Sequence, residues 1–224
     1  MKGFVLAVAL FTATLSFAND AIVDSHSYAA KDYSHLLGMK GFTDRALNLH
    51  FGLYRGYVKN TNRLLNELNG KRLFGTPQYN ELKRRLGWEF NGMRLHEYYF
   101  ENLGGKEPIN VDGPLYKAIV KKFGNFDAWK EDFIASGGIR GIGWVILMKD
   151  PRSDALVNSW IDEHATGLFA GGRPLLVMDM FEHAYLPDYD TDRSKYMEAF
   201  FDNIDWSVVE KRFMQTDITP VSEK

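Results

Sequence analysis

An acid and an imidazole lie close together in the C-terminal half of the chain. Asp179 and His183 are four residues apart, and they follow an apolar run at residues 175–177 that is typical of a buried strand. A carboxylate oxygen and an imidazole nitrogen can bind one metal ion, and the pair suits Mn, Fe or Zn. The sequence therefore favours a metal site here, with its remaining ligands on other elements.

Two further histidines fall on the apolar faces of predicted helices. The spacing of apolar residues predicts helices over residues 44–69 and 77–103, with His50 and His96 in their apolar stripes. The short connection favours an antiparallel hairpin, in which the two imidazoles can meet. A single histidine in such a stripe is more often a hydrogen-bonded core residue than a ligand. Together with the acid–imidazole pair, however, the two give four candidate ligands, which weakens that alternative.

The order of the elements predicts an α+β fold, with an N-terminal antiparallel helical hairpin and a C-terminal α/β domain that contains a three-stranded antiparallel sheet. After the hairpin we expect helices over 114–123 and 126–135, strands over 143–148, 155–160 and 174–179, a turn at 187–190, and helices over 191–203 and 206–213. The expected domains are a signal peptide at 1–18, the hairpin at 19–106 and the α/β domain at 107–224.

The first 18 residues have the pattern of a secretory signal peptide. Lys2 gives a positive start, residues 3–17 are largely apolar, and Ser16 and Ala18 are small residues suited to a cleavage site. The apolar run is shorter than the roughly 20 residues that a membrane span requires. We therefore expect cleavage after Ala18, a periplasmic or secreted location, and no membrane segment in the mature protein.

Composition excludes several classes of function. The net charge of −2 argues against nucleic acid as a partner, because phosphate binding needs a concentrated basic face. The chain has no cysteine, which excludes a cysteine nucleophile and a thiolate-ligated metal. Any metal must be held by His, Asp and Glu.

Several segments resemble one enzyme family. Residues 179–185 read Asp-Met-Phe-Glu-His-Ala-Tyr, and they resemble the D-x-W-E-H-A-Y signature of iron/manganese superoxide dismutases, with Phe181 in place of Trp. Further segments follow in the family's order and resemble its N-H-x-x-F-W, G-S-G-W, R-x-x-Y and N-W motifs: residues 95–100, 141–144, 193–196 and 205–206. The resemblance covers nearly all of residues 36–214.

The resemblance implies an antioxidant enzyme that converts superoxide to oxygen and hydrogen peroxide. Its cofactor would be one redox-cycling Fe or Mn ion per subunit, and zinc is excluded as the active metal because it has no redox chemistry. By the resemblance, the metal ligands are His50, His96, Asp179 and His183. The resemblance also places Tyr57 at the substrate gateway and gives Trp144 and Phe181 to the pocket wall.

The same resemblance implies a dimer. Glu182 would cross the interface to the partner subunit's His183 and support that ligand. Tyr185 would lie at the same interface. We therefore expect a homodimer or a dimer of dimers.

The first helix departs from the family's pattern. Relatives separate the ligand histidine from the gateway tyrosine by eight residues, whereas His50 and Tyr57 are seven apart, and an ungapped match would put Leu49 at the ligand position. Seven residues are nearly two α-helical turns, so His50 and Tyr57 share a face without a bulge. Tyr54 would then take the place of the family's second gateway histidine, in the pocket wall.

A second departure concerns the group beside the metal. Iron-type enzymes carry a glutamine four residues before the second ligand, where this chain has Gly92. Manganese-type enzymes supply a glutamine after the second strand, where this chain has His164. We expect His164 to replace the glutamine and to relay protons with Tyr57, which leaves the choice between Fe and Mn open.

Two other functions compete with the dismutase. One is a non-haem iron oxygenase that uses two histidines and one carboxylate, although a fourth protein ligand speaks against the vacant positions it needs. The other is an altered family member that keeps the metal for structure or for binding a partner, which the changed first helix allows.

Overall fold

A computed structural model of the chain describes residues 27–69 and 74–215. The elements follow the predicted order, with a helical first half followed by strands and short helices. In chain order they are α1 Asp44–Leu68, α2 Pro77–Glu101, α3 Pro114–Phe123, α4 Phe126–Gly137, β1 Gly143–Lys149, β2 Leu156–Asp162, β3 Arg173–Asp179, α5 Glu182–Tyr189, α6 Arg193–Asp202 and α7 Trp206–Met214. The α+β prediction is confirmed.

Helices α1 and α2 form an antiparallel hairpin. Thr43 caps α1 by accepting a hydrogen bond from the amide of Ala46, and Thr76 caps α2 ahead of a proline in its first turn. The rings of His50 and His96 are 5.0 Å apart, whereas further along α1 the side chain of Asn60 reaches back to Glu89 on α2. The two helices therefore run in opposite directions, and their facing histidines lie in the core.

The sheet places the end of β3 beside the hairpin. Its strand order is β2-β1-β3, and both pairings are antiparallel. The central strand β1 is buried from Gly143 to Met148, so both of its faces are covered. Trp144 on β1 lies directly opposite Asp179 on β3. One continuous core contains side chains from the hairpin, the sheet and the C-terminal helices.

The prediction of a turn at residues 187–190 is wrong. Helix α5 occupies Glu182–Tyr189 and contains Pro187, and the chain turns only at Asp190, whose φ is +49°. Proline lacks the amide that would bond one turn back, which in so short a helix removes a single bond. The helix still forms, and the carboxylate of Glu182 in its first turn favours it through the helix dipole.

The segment before α1 is ordered and packs against the hairpin. Ser34–Leu36 form a turn of 3₁₀-helix, and Tyr33, Leu36 and Phe42 are buried. The amide of Tyr28 donates to the side chain of Asn62, whose own amide group donates back to the Tyr28 carbonyl. The buried aromatic rings thus hold this segment against the hairpin.

The signal peptide and the domain boundary stay predictions. The signal peptide at 1–18 falls outside the described residues, and the domain boundary at 106–107 stays a prediction. Within residues 27–69 and 74–215, no helix is long and apolar enough to cross a membrane.

Candidate metal centre

The structure brings the four predicted ligands together. One ligand atom from each of His50, His96, Asp179 and His183 lies within 4.8 Å of the others. The first three side chains are almost completely buried, and His183 is about a fifth exposed, with a side-chain exposure of 21%. The four come from α1, α2, the end of β3 and the first turn of α5. Their assignment as metal ligands remains a prediction that this geometry supports.

Backbone and side-chain contacts fix the direction of Asp179. Its Oδ1 atom accepts a hydrogen bond from the amide of Phe181 at 2.8 Å, and its carbonyl oxygen accepts one from the hydroxyl of Tyr196 at 2.6 Å. Its Oδ2 atom therefore faces inward, 3.1 Å from Nε2 of both His50 and His183. One carboxylate oxygen is shared by two imidazoles.

His96 carries a buried nitrogen without a hydrogen-bond partner. Its Nδ1 atom lies 2.6 Å from the carbonyl oxygen of Gly92, and since a carbonyl only accepts, Nδ1 bears the proton. Its Nε2 atom therefore carries a lone pair, has no hydrogen-bond partner and lies 3.7 Å from Oδ2 of Asp179. A buried unpaired nitrogen is destabilising unless a metal ion occupies its lone pair. The residues present therefore fit a metal ion.

The electrostatics of the cluster favour a cation. Burial lowers the pKa of His50 against the opposing hydrogen bond to Asp179, and it holds the pKa of His96 well below its usual range. Both rings are thus neutral near pH 7 and can ligate. Burial opposes ionisation of Asp179, but the neighbouring His183 and His50 outweigh it and lower the pKa of the carboxyl. Three imidazoles and one carboxylate suit Fe, Mn or Zn.

Tyr57, His164 and Trp144 form a hydrogen-bonded chain beside the cluster. The indole Nε1 of Trp144 lies 3.0 Å from Nδ1 of His164, and Nε2 of His164 lies 2.8 Å from the hydroxyl of Tyr57. An indole nitrogen only donates, so Nδ1 of His164 accepts and Nε2 bears the proton. His164 therefore donates to Tyr57, whose own hydroxyl hydrogen is left for another acceptor.

Burial sets the protonation of this pair. It lowers the pKa of His164 to about 4, so the imidazole is neutral at pH 7. Burial, with the nearby charges of Asp179 and Glu89, raises the pKa of the Tyr57 hydroxyl. Tyr57 therefore keeps its proton at neutral pH.

Aromatic rings enclose the cluster. Trp144 packs edge-on against His96 at 5.0 Å between ring centroids, and Phe181 stacks on His164 at 4.6 Å and on His183 at 5.4 Å. Tyr54 contacts both this wall and a second group, and its gateway role stays a prediction. Although its ring stacks on His96 at 6.4 Å, its hydroxyl donates to the buried carboxylate of Glu97 at 3.0 Å. The ring contributes to the wall, but the hydroxyl points into a separate polar cluster.

The two residues assigned to a dimer interface have different surroundings. Glu182 is exposed, whereas Tyr185 is buried within the chain, with 4% of its surface exposed. The hydroxyl of Tyr185 accepts from the guanidinium of Arg193 at 3.3 Å. Their interface roles stay predictions.

Sequence reasoning missed three residues around His164. Trp88 lies 4.4 Å from the His164 ring, and its indole Nε1 donates to Glu163 at 2.8 Å. Gly92, noted only for the glutamine it replaces, lies against the ring of Tyr57. Two features of α2 could have pointed to these contacts. One is a tryptophan, and the other is a glycine four residues later, which lowers helix stability and so needs another reason to be there.

The fold and site define a class: a protein with a His₃Asp cluster that fits a metal ion, between a helical hairpin and an α/β domain. Residues 111–212 match the family model for iron/manganese superoxide dismutases, C-terminal domain. The chain is 37% identical over 180 residues to an iron superoxide dismutase of Cupriavidus metallidurans, covering 78% of this chain and 90% of the relative. The chain therefore belongs to the iron/manganese superoxide dismutase family.

Relatives of both metal types are similar to it. An iron superoxide dismutase of Aquifex aeolicus is 35% identical over 199 residues, which are 84% of this chain and 92% of the relative. A manganese superoxide dismutase of Haloferax volcanii is 37% identical over 128 residues, which are 56% of this chain and 62% of the relative. The comparisons thus leave the metal of this chain open.

Proposed function

We propose that the protein is a superoxide dismutase that uses one Fe or Mn ion per subunit. The observation that carries the proposal is the convergence of four ligand atoms within 4.8 Å, including a buried histidine nitrogen without a partner. An Fe or Mn ion bound there would alternate between two oxidation states, oxidising one superoxide to oxygen and reducing the next to hydrogen peroxide. Zinc cannot supply this chemistry because it does not change oxidation state.

The chain's own residues supply protons for the reduction. Tyr57 is protonated at neutral pH, and its raised pKa keeps it so in more alkaline solution; its hydroxyl hydrogen is not used in the bond with His164. His164 holds the Tyr57 oxygen in place and carries a second exchangeable proton on Nε2. The two together form the proton relay that peroxide formation needs.

Asp179 adjusts the charge of the centre. Its lowered pKa keeps it ionised, so the ligand set carries one negative charge in a buried site. A buried negative charge favours the more highly charged metal state. The surrounding aromatic rings of Trp144 and Phe181 keep bulk water away from this charge and limit the pocket to small substrates.

The alternative of a member that keeps a metal only for structure has one observation in its favour. Tyr54, in the place of a gateway histidine, directs its hydroxyl into a separate cluster with Glu97. The Tyr57–His164 pair argues against this alternative, because a purely structural site has no need of a second hydrogen-bonded pair of ionisable groups beside it.

Metal analysis and a superoxide-decay assay test the proposal directly. The protein is purified, stripped of metal and reloaded separately with Fe, Mn and Zn. We expect one metal ion per chain in each form and rapid superoxide decay with Fe, Mn or both, but none with Zn. Decay with neither Fe nor Mn would refute the dismutase and favour the structural alternative.

We also propose that two subunits associate through the surface around α5. The exposed carboxylate of Glu182 and the partly exposed ring of His183 support this, since together they present a charged group and an imidazole at one surface. Light scattering should give the mass of a dimer or tetramer, and Glu182→Ala should shift it toward the monomer. A monomeric wild-type protein would exclude the proposal.

Export is proposed from the pattern of residues 1–18 alone. N-terminal sequencing of protein recovered from a bacterial host should show a chain that begins at Asn19 in the periplasmic or medium fraction. An intact N-terminus in the cytoplasmic fraction would contradict export, and it would leave the dismutase proposal unaffected.

A further inference from the structure

We propose that Trp88 and Glu163 form a positioning pair that holds His164 at the metal centre. The pair joins α2 of the hairpin to the turn after β2, across 75 residues of sequence. The inference rests on the proposed function, because it assigns these residues a part in superoxide turnover. The ring of Trp88 contacts the ring of His164, and Glu163 directly precedes His164 in the chain, so the pair acts through His164.

A hydrogen bond and a ring contact connect the pair to His164. The indole Nε1 of Trp88 donates to Oε2 of Glu163 at 2.8 Å. The Trp88 ring meets the His164 ring edge-on, with centroids 4.4 Å apart, and meets the Tyr57 ring at 5.7 Å. One indole thus bonds the residue that precedes His164 in the chain and packs against the imidazole itself.

The backbone of Glu163 is held in an unfavourable conformation. Its φ is +50°, in the left-handed region that residues other than glycine and asparagine rarely adopt. Its amide donates to the carbonyl of Ile142 at 2.9 Å, which fixes the turn from the β1 side. Strain of this kind persists where surrounding contacts impose it, and here it directs the next residue, His164, into the core.

Trp88 is itself held from the solvent side. The guanidinium of Arg85 lies over its ring at 3.9 Å, and Nη2 of Arg85 pairs with the buried carboxylate of Glu89 at 2.7 Å. The indole is therefore packed between a cation and an imidazole, which restricts its rotation. Glu163, by contrast, is exposed, and its carboxylate can be changed without opening the core.

The need for such a pair follows from the bonds of His164. Both of its ring nitrogens are used, one by Trp144 at 3.0 Å and the other by Tyr57 at 2.8 Å. A small rotation of the imidazole would break one of them. The Trp88–Glu163 bond fixes the turn from which His164 projects, and so keeps both bonds at once.

Coupled variants test whether the pair acts through His164. Trp88→Phe removes the indole N–H, Glu163→Ala removes the acceptor, and Glu163→Gln keeps an acceptor oxygen. In the Fe- or Mn-loaded protein, each of the first two should lower kcat/KM about tenfold, as loss of a supporting contact commonly does, and Glu163→Gln should restore most of it. In a His164→Ala background the same changes should have no further effect.

Trp160→Phe is the matched control, because Trp160 is a half-buried indole on the strand that leads to Glu163. It should leave kcat/KM unchanged in both backgrounds. Equal fold losses with and without His164, or no loss from Glu163→Ala, would overturn the proposal. Since Glu163 is exposed, Glu163→Ala decides the question even if Trp88→Phe does not fold.

A second readout does not depend on activity. In the diamagnetic zinc-loaded protein, the ring ¹⁵N shifts of His164 should show a proton on Nε2 alone. Glu163→Ala should move both shifts toward a mixture of tautomers, and unchanged shifts would overturn the proposal. If Fe- and Mn-loaded wild type fails to consume superoxide, the proposed function falls, while these shifts still report on the placement of His164.

Discussion

Tyr57 crosses α2 directly over Gly92. A Cβ atom at position 92 would lie 2.6 Å from Cδ1 and 2.7 Å from Cε1 of the Tyr57 ring, closer than such atoms approach in proteins. The missing side chain at Gly92 therefore makes room for the tyrosine that bonds His164. Gly92 also supplies the carbonyl that orients His96, so one residue positions a predicted ligand and the proposed proton relay.

We predict that Gly92→Ala lowers turnover by displacing Tyr57. The new methyl group forces the ring away and breaks its bond with His164, so kcat/KM should fall at least about tenfold, the size of a lost supporting contact. Overpacking should also destabilise the fold by about 1 to 3 kcal/mol. Superoxide decay and thermal unfolding measure the two effects.

Gly87→Ala on the same helix is the matched control. A Cβ atom at Gly87 meets nothing within 4 Å, so alanine should keep full activity and stabilise α2 by up to about 1 kcal/mol. Full activity of Gly92→Ala would show that Tyr57 can shift without consequence.

Local patterns in the sequence predicted most of the elements and the four candidate ligands that the structure brings together. The spacings within α1 and α2 put His50 and His96 on inner faces, and Asp179 and His183 stand at the end of a strand, where side chains converge. Contacts between segments that are distant in the sequence could not be predicted from such local patterns. The Trp88–Glu163 bond spans 75 residues. The positive φ at Glu163 could not be predicted either, because the residue there is not glycine.

One error and one unexpected contact have simple physical origins. Helix α5 was missed because Pro187 and the polar residues after it are typical of a turn, yet one lost amide does not prevent a short helix. The gateway role of Tyr54, which lies one turn after His50, stays a prediction. Its hydroxyl contacts Glu97 and the Lys31 amide, and nothing in the sequence indicated these contacts. A helix face predicts the direction of a side chain but not the partner of its polar atom.

Tyr57→Phe and Tyr54→Phe should separate activity from stability. Tyr57→Phe removes the hydroxyl bonded to His164, so turnover should fall about tenfold or more while the ring still packs on Gly92. Tyr54→Phe leaves the buried carboxylate of Glu97 without one donor, which should destabilise the fold by about 1 to 3 kcal/mol and keep turnover. Assays of superoxide decay and urea unfolding on both variants check this. If Tyr54→Phe loses turnover at unchanged stability, its hydroxyl belongs to the gateway after all.

The ligand on α1 can be assigned by two neighbouring substitutions. His50→Ala should lose most of its metal, because Nε2 of His50 lies in the cluster, 3.1 Å from Asp179. Leu49→Ala should keep metal and activity, since Leu49 is half exposed on the outer side of α1. Elemental analysis after dialysis against a weak chelator gives the metal content. Full metal retention by His50→Ala would remove His50 from the ligand set.

The free energy of unfolding of the metal-free protein should decrease as the pH is lowered, because of His164. Its pKa is about 4 in the fold, against about 6.5 in an unfolded chain, so below pH 6.5 the unfolded state binds the extra proton. The stabilisation by neutral His164 is complete above pH 6.5 and is lost as pH falls toward 4, which amounts to about 3 kcal/mol. His164→Gln does not titrate, whereas the other histidines are common to both proteins and cancel in the comparison. Both metal-free proteins are unfolded with urea at pH 7.5, 6, 5 and 4 (roughly one-unit steps across the window). The free energy of unfolding of wild type, relative to that of the variant, should decrease steadily as the pH is lowered. A difference that stays constant over this range would mean that His164 is not buried in its neutral form.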